Sequence, residues 1–340
     1  MQAAQYIGNK SFTVIEGESI KPKNGEVRLD VGYVGICGTD MHIYHGVMDQ
    51  RVNPPATIGH EISGVVAEIG ADVQGFEIGD KVVVRPLDWC GECPTCDAGH
   101  THICQNLKFM GIDTPGAFQS SWTVKARTLH KLPDGVDLKQ GALIEPLSVA
   151  CHDVRRARLQ AGEKVVVIGG GPIGQLVAAV AKSVGAEVLI SEVNENRRAF
   201  AESLGVKSIN PVNDNLVEYV DNWTKTKGAD VVFEVSGVQP AIEAMTEVAG
   251  RRARIVMVAI HATQPPIDLF QFFWKELELL GARVYEAEDF DWAIDLIASG
   301  KINVNPFISS VNPLIDIENA FSSMDNNPLG MKALVECNVK

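Results

Sequence analysis

Four of the chain's seven cysteines, Cys90, Cys93, Cys96 and Cys104, fall within fifteen residues in the pattern C-x2-C-x2-C-x7-C. Four thiolates close a tetrahedral shell around Zn²⁺ and leave no position open, so this spacing points to a structural metal. Gly91, Pro94 and Gly99 allow the turns that wrap one loop around the ion. In a cytosolic protein such clustering reads as metal binding and not as disulfides. A closed metal of this kind stabilises its own polar lobe, residues 88–107, and takes no part in a reaction.

A second set of candidate ligands is dispersed. Ile36-Cys37-Gly38-Thr39-Asp40-Met41-His42 packs a soft metal ligand, a hydroxyl, a carboxylate and an imidazole into one short stretch. Taken alone, Cys37 reads more readily as a buried thiol than as a ligand. Further along lie Gly59-His60-Glu61 and Glu145-Pro146-Leu147. A catalytic zinc takes three protein ligands and keeps one position for water or substrate. Cys37, His60 and one carboxylate would supply that set.

The third feature is Gly169-Gly170-Gly171-Pro172-Ile173-Gly174, a G-x-G-x-x-G between a strand-like and a helix-like segment. In that context the first glycine permits the tight turn. The second lets a pyrophosphate approach the backbone, and the third lets helix and strand pack closely, with the helix N-terminus facing the phosphates. An acid should follow about 20 residues later, and Glu192 does. Its carboxylate can accept the adenosine ribose hydroxyls and would repel a 2′-phosphate, which favours NAD over NADP. Arg197 and Arg198 could instead serve a 2′-phosphate, or Arg197 could stack on adenine.

These features need elements to hold them. Over residues 26–85 short alternating runs predict strands: Val27, Leu29 and Val31, then 64–70, then 81–84. The cysteine lobe interrupts this β-rich half. From Gly141 the pattern changes. A helical segment covers 142–159. Continuous apolar strands at 165–168, 187–191, 230–234 and 254–258 then alternate with helices, which predicts a doubly wound parallel sheet. A helix over 290–299 and a closing strand over 333–336 end the chain. The fold class is therefore α/β.

Composition bounds the partners. Hydrophobic residues make up 46% and charged residues 21%, enough for a sizeable core. The formal net charge is −13, and no basic stripe is available for phosphates, so neither nucleic acid nor an anionic membrane is expected. No run reaches eighteen apolar residues, and residues 1–10 do not read as a secretory signal. A cytoplasmic enzyme is the expectation.

Taken together, the chain resembles the zinc-dependent medium-chain dehydrogenases, in particular their sorbitol (polyol) dehydrogenase branch. The resemblance rests on Gly35 to Asp40, Gly59-His60-Glu61, the four-cysteine lobe, Ile144-Glu145-Pro146-Leu147-Ser148-Val149 and Gly169 to Gly174, in the family's order. It implies a GroES-like catalytic domain over 1–151, a Rossmann NAD-binding domain over 152–290, and a return to the catalytic domain over 291–340. It implies two zincs per chain and NAD. Cys37, His60 and Glu61 look like ligands of the catalytic zinc, with Glu145 a direct or water-mediated fourth. Thr39 and His42 resemble a proton relay. Gly169, Gly171, Pro172, Ile173, Gly174, Glu192 and Arg197 are the implied cofactor contacts. The implied reaction is hydride transfer from a secondary alcohol of a polyol or sugar-derived substrate to NAD⁺, in a homodimer or homotetramer. The L-threonine 3-dehydrogenases are also similar, in the lobe ending Gly99 to Cys104 and in Cys37 to Tyr44. Threonine or a vicinal diol is thus an alternative substrate, and a non-catalytic zinc-binding protein of the same fold a remote one. Ile43 stands where sorbitol dehydrogenases usually carry an aromatic residue.

Overall fold

A computed structural model describes residues 1–261, 263–326 and 330–338. The chain divides into two compact units, Met1–Glu145 with Glu286–Lys340, and Pro146–Tyr285. The first boundary falls inside the helix Ile144–Arg156, ahead of the residue 151 expected from sequence, and the second falls at Tyr285, not 290.

The first unit is built on a seven-stranded sheet. Its spine is the strand Glu26–Gly35, which buries Val27, Leu29, Val31 and Val34. This strand pairs antiparallel with Glu61–Ile69, so that Gly35 lies opposite Glu61. On its other edge it pairs with Lys332–Glu336 through Gly35 and Leu334. The C-terminal strand is thereby sewn beside the strand that leads into Cys37. A short helix, Gly38–Tyr44, follows that strand. Its Tyr44 ring packs on Phe321 at 5.3 Å, and Phe321 touches Phe12 and Phe118 at 4.7 and 5.7 Å. An N-terminal hairpin, Gln2–Gly8 with Ser11–Glu16, and a helix, Ile317–Asn326, complete this packing. Neither was expected from the sequence.

The second unit is a six-stranded sheet, every neighbouring pair parallel. Its strands in chain order are Lys164–Ile168, Glu187–Ser191, Lys207–Ile209, Ala229–Glu234, Ala249–Met257 and Glu278–Gly281. They lie side by side as 3-2-1-4-5-6, the arrangement of a Rossmann dinucleotide-binding fold. Val166, Leu189, Val232 and Ile255 are buried between sheet and helices, with Val220, Ile242 and Met245 closing one side. Strands buried on both faces carry no alternation, which explains the continuous apolar runs in the sequence. Among the described residues no helix is long and apolar enough to cross a membrane.

Candidate active site

Cys37 is the N-cap of the helix Gly38–Tyr44 and has extended backbone geometry. Its backbone N–H donates to Asp40 Oδ2 at 2.9 Å. The other Asp40 oxygen, Oδ1, faces Nδ1 of His60 at 3.5 Å. One fully buried carboxylate therefore caps Cys37 and lies beside His60 Nδ1, which leaves His60 Nε2 as the ring atom for a metal. The opposite flank of His60 is covered by Phe109, edge-on with ring centroids 5.3 Å apart. Phe109 is held in turn by Asp113, which accepts its N–H at 2.8 Å and pairs with Arg51. Gly59, at φ +99°, precedes His60, and a Cβ there would stand 2.7 Å from the Phe118 ring.

Glu61 completes the group. Cys37 Sγ, a His60 nitrogen and a Glu61 carboxylate oxygen all lie within 4.8 Å of one another. Glu61 Oε1 accepts from the buried ammonium of Lys332. Oε2 has no hydrogen-bond partner among the described residues. That oxygen has room only because Gly35 opposite has no side chain: a Cβ there would stand 2.2 Å from it.

The charges fit a cation. Burial works against a positive His60, yet the Asp40 carboxylate and Cys37 outweigh it and hold the imidazole pKa well above its ordinary value. Burial likewise works against the Lys332 ammonium, and the charges of Glu61 and Cys37 raise it nonetheless. A buried carboxylate oxygen without a partner, beside a thiol and an imidazole, is the donor set a zinc ion takes. Glu145 is buried at the start of the helix Ile144–Arg156 but is not one of the three clustered ligands. Its charge helps to raise Lys332. Thr39 is half-buried and His42 exposed on the Cys37 helix. Ile43 is fully buried, and Tyr44 nearly so.

The four lobe cysteines also converge. Cys90 and Cys96 sulfurs are 4.0 Å apart, Cys93 and Cys104 3.8 Å, and Cys104 and Cys90 3.5 Å. A tetrahedron with Zn–S arms of about 2.3 Å has edges of about 3.8 Å, so these separations fit the ion. Backbone N–H groups of Gln105 and Cys96 lower Cys93 to about 6, while loss of hydration raises Cys96 to about 12. Crowded thiols spread apart in this way when like charges cannot all form without a cation.

In the second unit the glycine loop follows the strand Lys164–Ile168. Gly171 is the N-cap of the helix Pro172–Val184 and offers no capping side chain, so the first N–H groups stay open to an anion. Gly169 has φ +108°, and a Cβ on Gly174 would stand 1.9 Å from its carbonyl oxygen. Glu192 is buried at the end of the next strand. Its Oε2 accepts from Gly170 N–H at 2.7 Å and its Oε1 from Asn194 N–H at 2.8 Å. A carboxylate has about four lone-pair positions, so two remain for ribose hydroxyls. Arg197 lies over the loop, 3.8 Å from Glu192. Arg198 donates to the carbonyls of Glu192 and Val193 and is thereby committed to the backbone. Buried Gln175, which carries no motif signal, ties Gly170 to Arg197 through its amide.

Comparison with known proteins gives the same picture. The family model "Alcohol dehydrogenase GroES-like domain" matches residues 23–134, and "Zinc-binding dehydrogenase" matches 172–299. A 2-dehydro-3-deoxy-L-galactonate 5-dehydrogenase of Pseudoalteromonas atlantica is 80% identical over 340 residues, the whole of both chains. This chain belongs to the zinc-dependent medium-chain dehydrogenase family. It is an oxidoreductase of that family. The 2R,3R-butanediol dehydrogenase structure of Bacillus subtilis superposes with a TM-score of 0.91 at 30% identity, covering 99% of each chain. A protein from Sinorhizobium meliloti 1021, described as a zinc-binding dehydrogenase and solved with NADP bound, gives a TM-score of 0.91 at 30% identity over 98% of each chain.

Asp40 and Lys332, like Gln175, are site residues that the motifs leave without a role. Asp40 carries a local signal, a carboxylate three residues after an N-cap. Lys332 shows only as a lone cation at the head of the apolar run Ala333-Leu334-Val335. Replacing Lys332 with Met should leave Glu61 buried without its partner, at a cost of about 3–5 kcal/mol in the metal-free protein. Thermal unfolding with and without a chelator should show a larger loss when zinc is removed, and equal losses in both states would refute the shared-charge reading.

Proposed function

We propose that this enzyme oxidises a secondary hydroxyl of a sugar-derived acid or polyol to a ketone with NAD⁺, using one catalytic and one structural zinc per chain. The observation that carries the reading is full-length identity of 80% to a dehydrogenase of a 3-deoxy sugar acid, in a chain where Cys37, His60 and Glu61 converge. A zinc ion at that cluster supplies Lewis acidity, and the nicotinamide supplies the hydride acceptor. Cys37, His60 and Glu61 hold the metal, and Asp40 fixes the first two of them. Glu145, whose charge reaches Lys332, is the direct or water-mediated fourth ligand of this reading. Thr39 and His42 share one helix, half-buried and exposed in turn, which suits a proton passing outward to an imidazole at the surface.

NAD is the cofactor of this reading. The Glu192 carboxylate lies at the glycine loop and Arg198 is committed to backbone carbonyls, which disfavours a 2′-phosphate. We also place the enzyme in the cytoplasm as a homo-oligomer. Support for assembly comes from the edge strand Glu278–Gly281 and from exposed Phe270, Phe273 and Trp274 on the neighbouring helix.

Three outcomes test the proposal. Purified enzyme offered NAD⁺ with 2-dehydro-3-deoxy-L-galactonate, sorbitol, xylitol, butanediol and L-threonine should form NADH fastest with the sugar acid; a clear preference for threonine or butanediol would replace the reading. Glu192→Ala should raise KM for NAD⁺ about tenfold and narrow its advantage over NADP⁺, and an unchanged preference would remove the role given to Glu192. Metal analysis should find two zincs per chain, falling to one in Cys96→Ser together with a drop in Tm; two zincs in that variant would contradict the lobe assignment.

A further inference from the structure

Glu234 ends the strand Ala229–Glu234 and is fully buried. That strand lies beside Lys164–Ile168, which leads into the glycine loop. The pair flanks the point where the strand order reverses, and open parallel sheets bind ligands outside the carboxyl ends of the strands there. The two loops touch: a Cβ on Gly169 would stand 3.1 Å from Ser236.

One Glu234 oxygen is saturated locally. Oε1 accepts from Ser236 N–H and Oγ–H, both at 2.9 Å, and from Gly237 N–H at 2.8 Å. The other, Oε2, has no hydrogen-bond partner among the described residues and faces His261 Nε2 at 3.3 Å. The same loops are joined by backbone, since Val258 and Ala259 N–H groups donate to the Glu234 carbonyl at 2.9 and 3.1 Å. The His261 side chain is 18% exposed. It therefore meets a buried carboxylate on one side and keeps part of its ring open to solvent. A buried carboxylate oxygen without a hydrogen bond calls for a partner, and a His beside a carboxylate has its tautomer set by it.

We propose that His261 is a positioning residue for the nicotinamide-riboside half of the bound nucleotide. Glu234 Oε2 takes the Nε2–H, which turns Nδ1 outward as an acceptor for a ribose hydroxyl or the carboxamide N–H. The assignment rests on the cofactor reading above, and the two are separable by experiment. The adenine half binds through Glu192 and the glycine loop, so ADP serves as a ligand that never reaches His261.

The test measures NADH and ADP dissociation constants by fluorescence and calorimetric titration for the intact enzyme and for His261→Ala, His261→Gln and Glu234→Gln, with Tm recorded for each. His261→Ala should weaken NADH about tenfold, the worth of one hydrogen bond in a partly buried site, and leave ADP within twofold. His261→Gln, which keeps an acceptor, should recover part of the loss. Glu234→Gln should follow His261→Ala in NADH affinity if it folds, and His261→Ala alone decides if it does not. Unchanged NADH affinity in His261→Ala, or equal weakening of NADH and ADP, overturns the assignment while the cofactor reading stands. Failure of the unsubstituted enzyme to bind NADH overturns both.

Discussion

The catalytic unit depends on one charge balance. Cys37, Asp40, His60, Glu61 and Lys332 meet in a β-rich interior, all but Cys37 of them buried. Taking ions out of water costs several kcal/mol each, so such a group survives only if every charge has an opposite at close range. Lys332 answers one oxygen of Glu61, and the other is left facing Cys37 and His60. That remaining set is the kind of donor group that takes a divalent cation. The need explains the architecture around it. The C-terminal strand pairs beside Glu26–Gly35 and so brings Lys332 to the cluster from almost 300 residues away in sequence. Gly35 stands opposite Glu61 because any side chain there would occupy the carboxylate's place.

The nucleotide unit meets a different constraint with the same chemistry. An anion must approach bare backbone, so three glycines strip the turn of side chains and the helix N-terminus supplies unpaired N–H groups. The turn would be loose without a tether. Glu192 provides it by accepting from Gly170 and Asn194, and Gln175 adds a second one from inside the helix. The carboxylate proposed to discriminate the ribose is also part of what holds the glycine loop, so under that proposal cofactor preference and loop order are coupled.

Local signals were legible in the sequence, and long-range partners were not. The four lobe cysteines, the glycine loop and Glu192 announce themselves because their chemistry is confined to short spans with fixed spacing. The strand runs were equally readable, since burial on both faces of a parallel sheet leaves continuous apolar stretches. Lys332 could not be found that way: a lysine ahead of Ala333-Leu334-Val335 reads as a strand-end charge until pairing with Gly35's strand puts it inside. Ile43 stands where sorbitol dehydrogenases usually carry an aromatic residue, and helical geometry buries it in the core next to Tyr44. Arg198 resembles a phosphate ligand by position, and its commitment to the carbonyls of Glu192 and Val193 is a tertiary fact.

A single device recurs at the sites in both units. A buried carboxylate spends one oxygen on backbone N–H groups a few residues away and turns the other toward a functional side chain. Asp40 does so with Cys37 N–H and His60, and Glu234 with Ser236, Gly237 and His261. The short tether costs little chain entropy because the residues are already neighbours. It fixes the carboxylate so that the far oxygen lies 3.5 Å from the His60 ring in one unit and 3.3 Å from the His261 ring in the other.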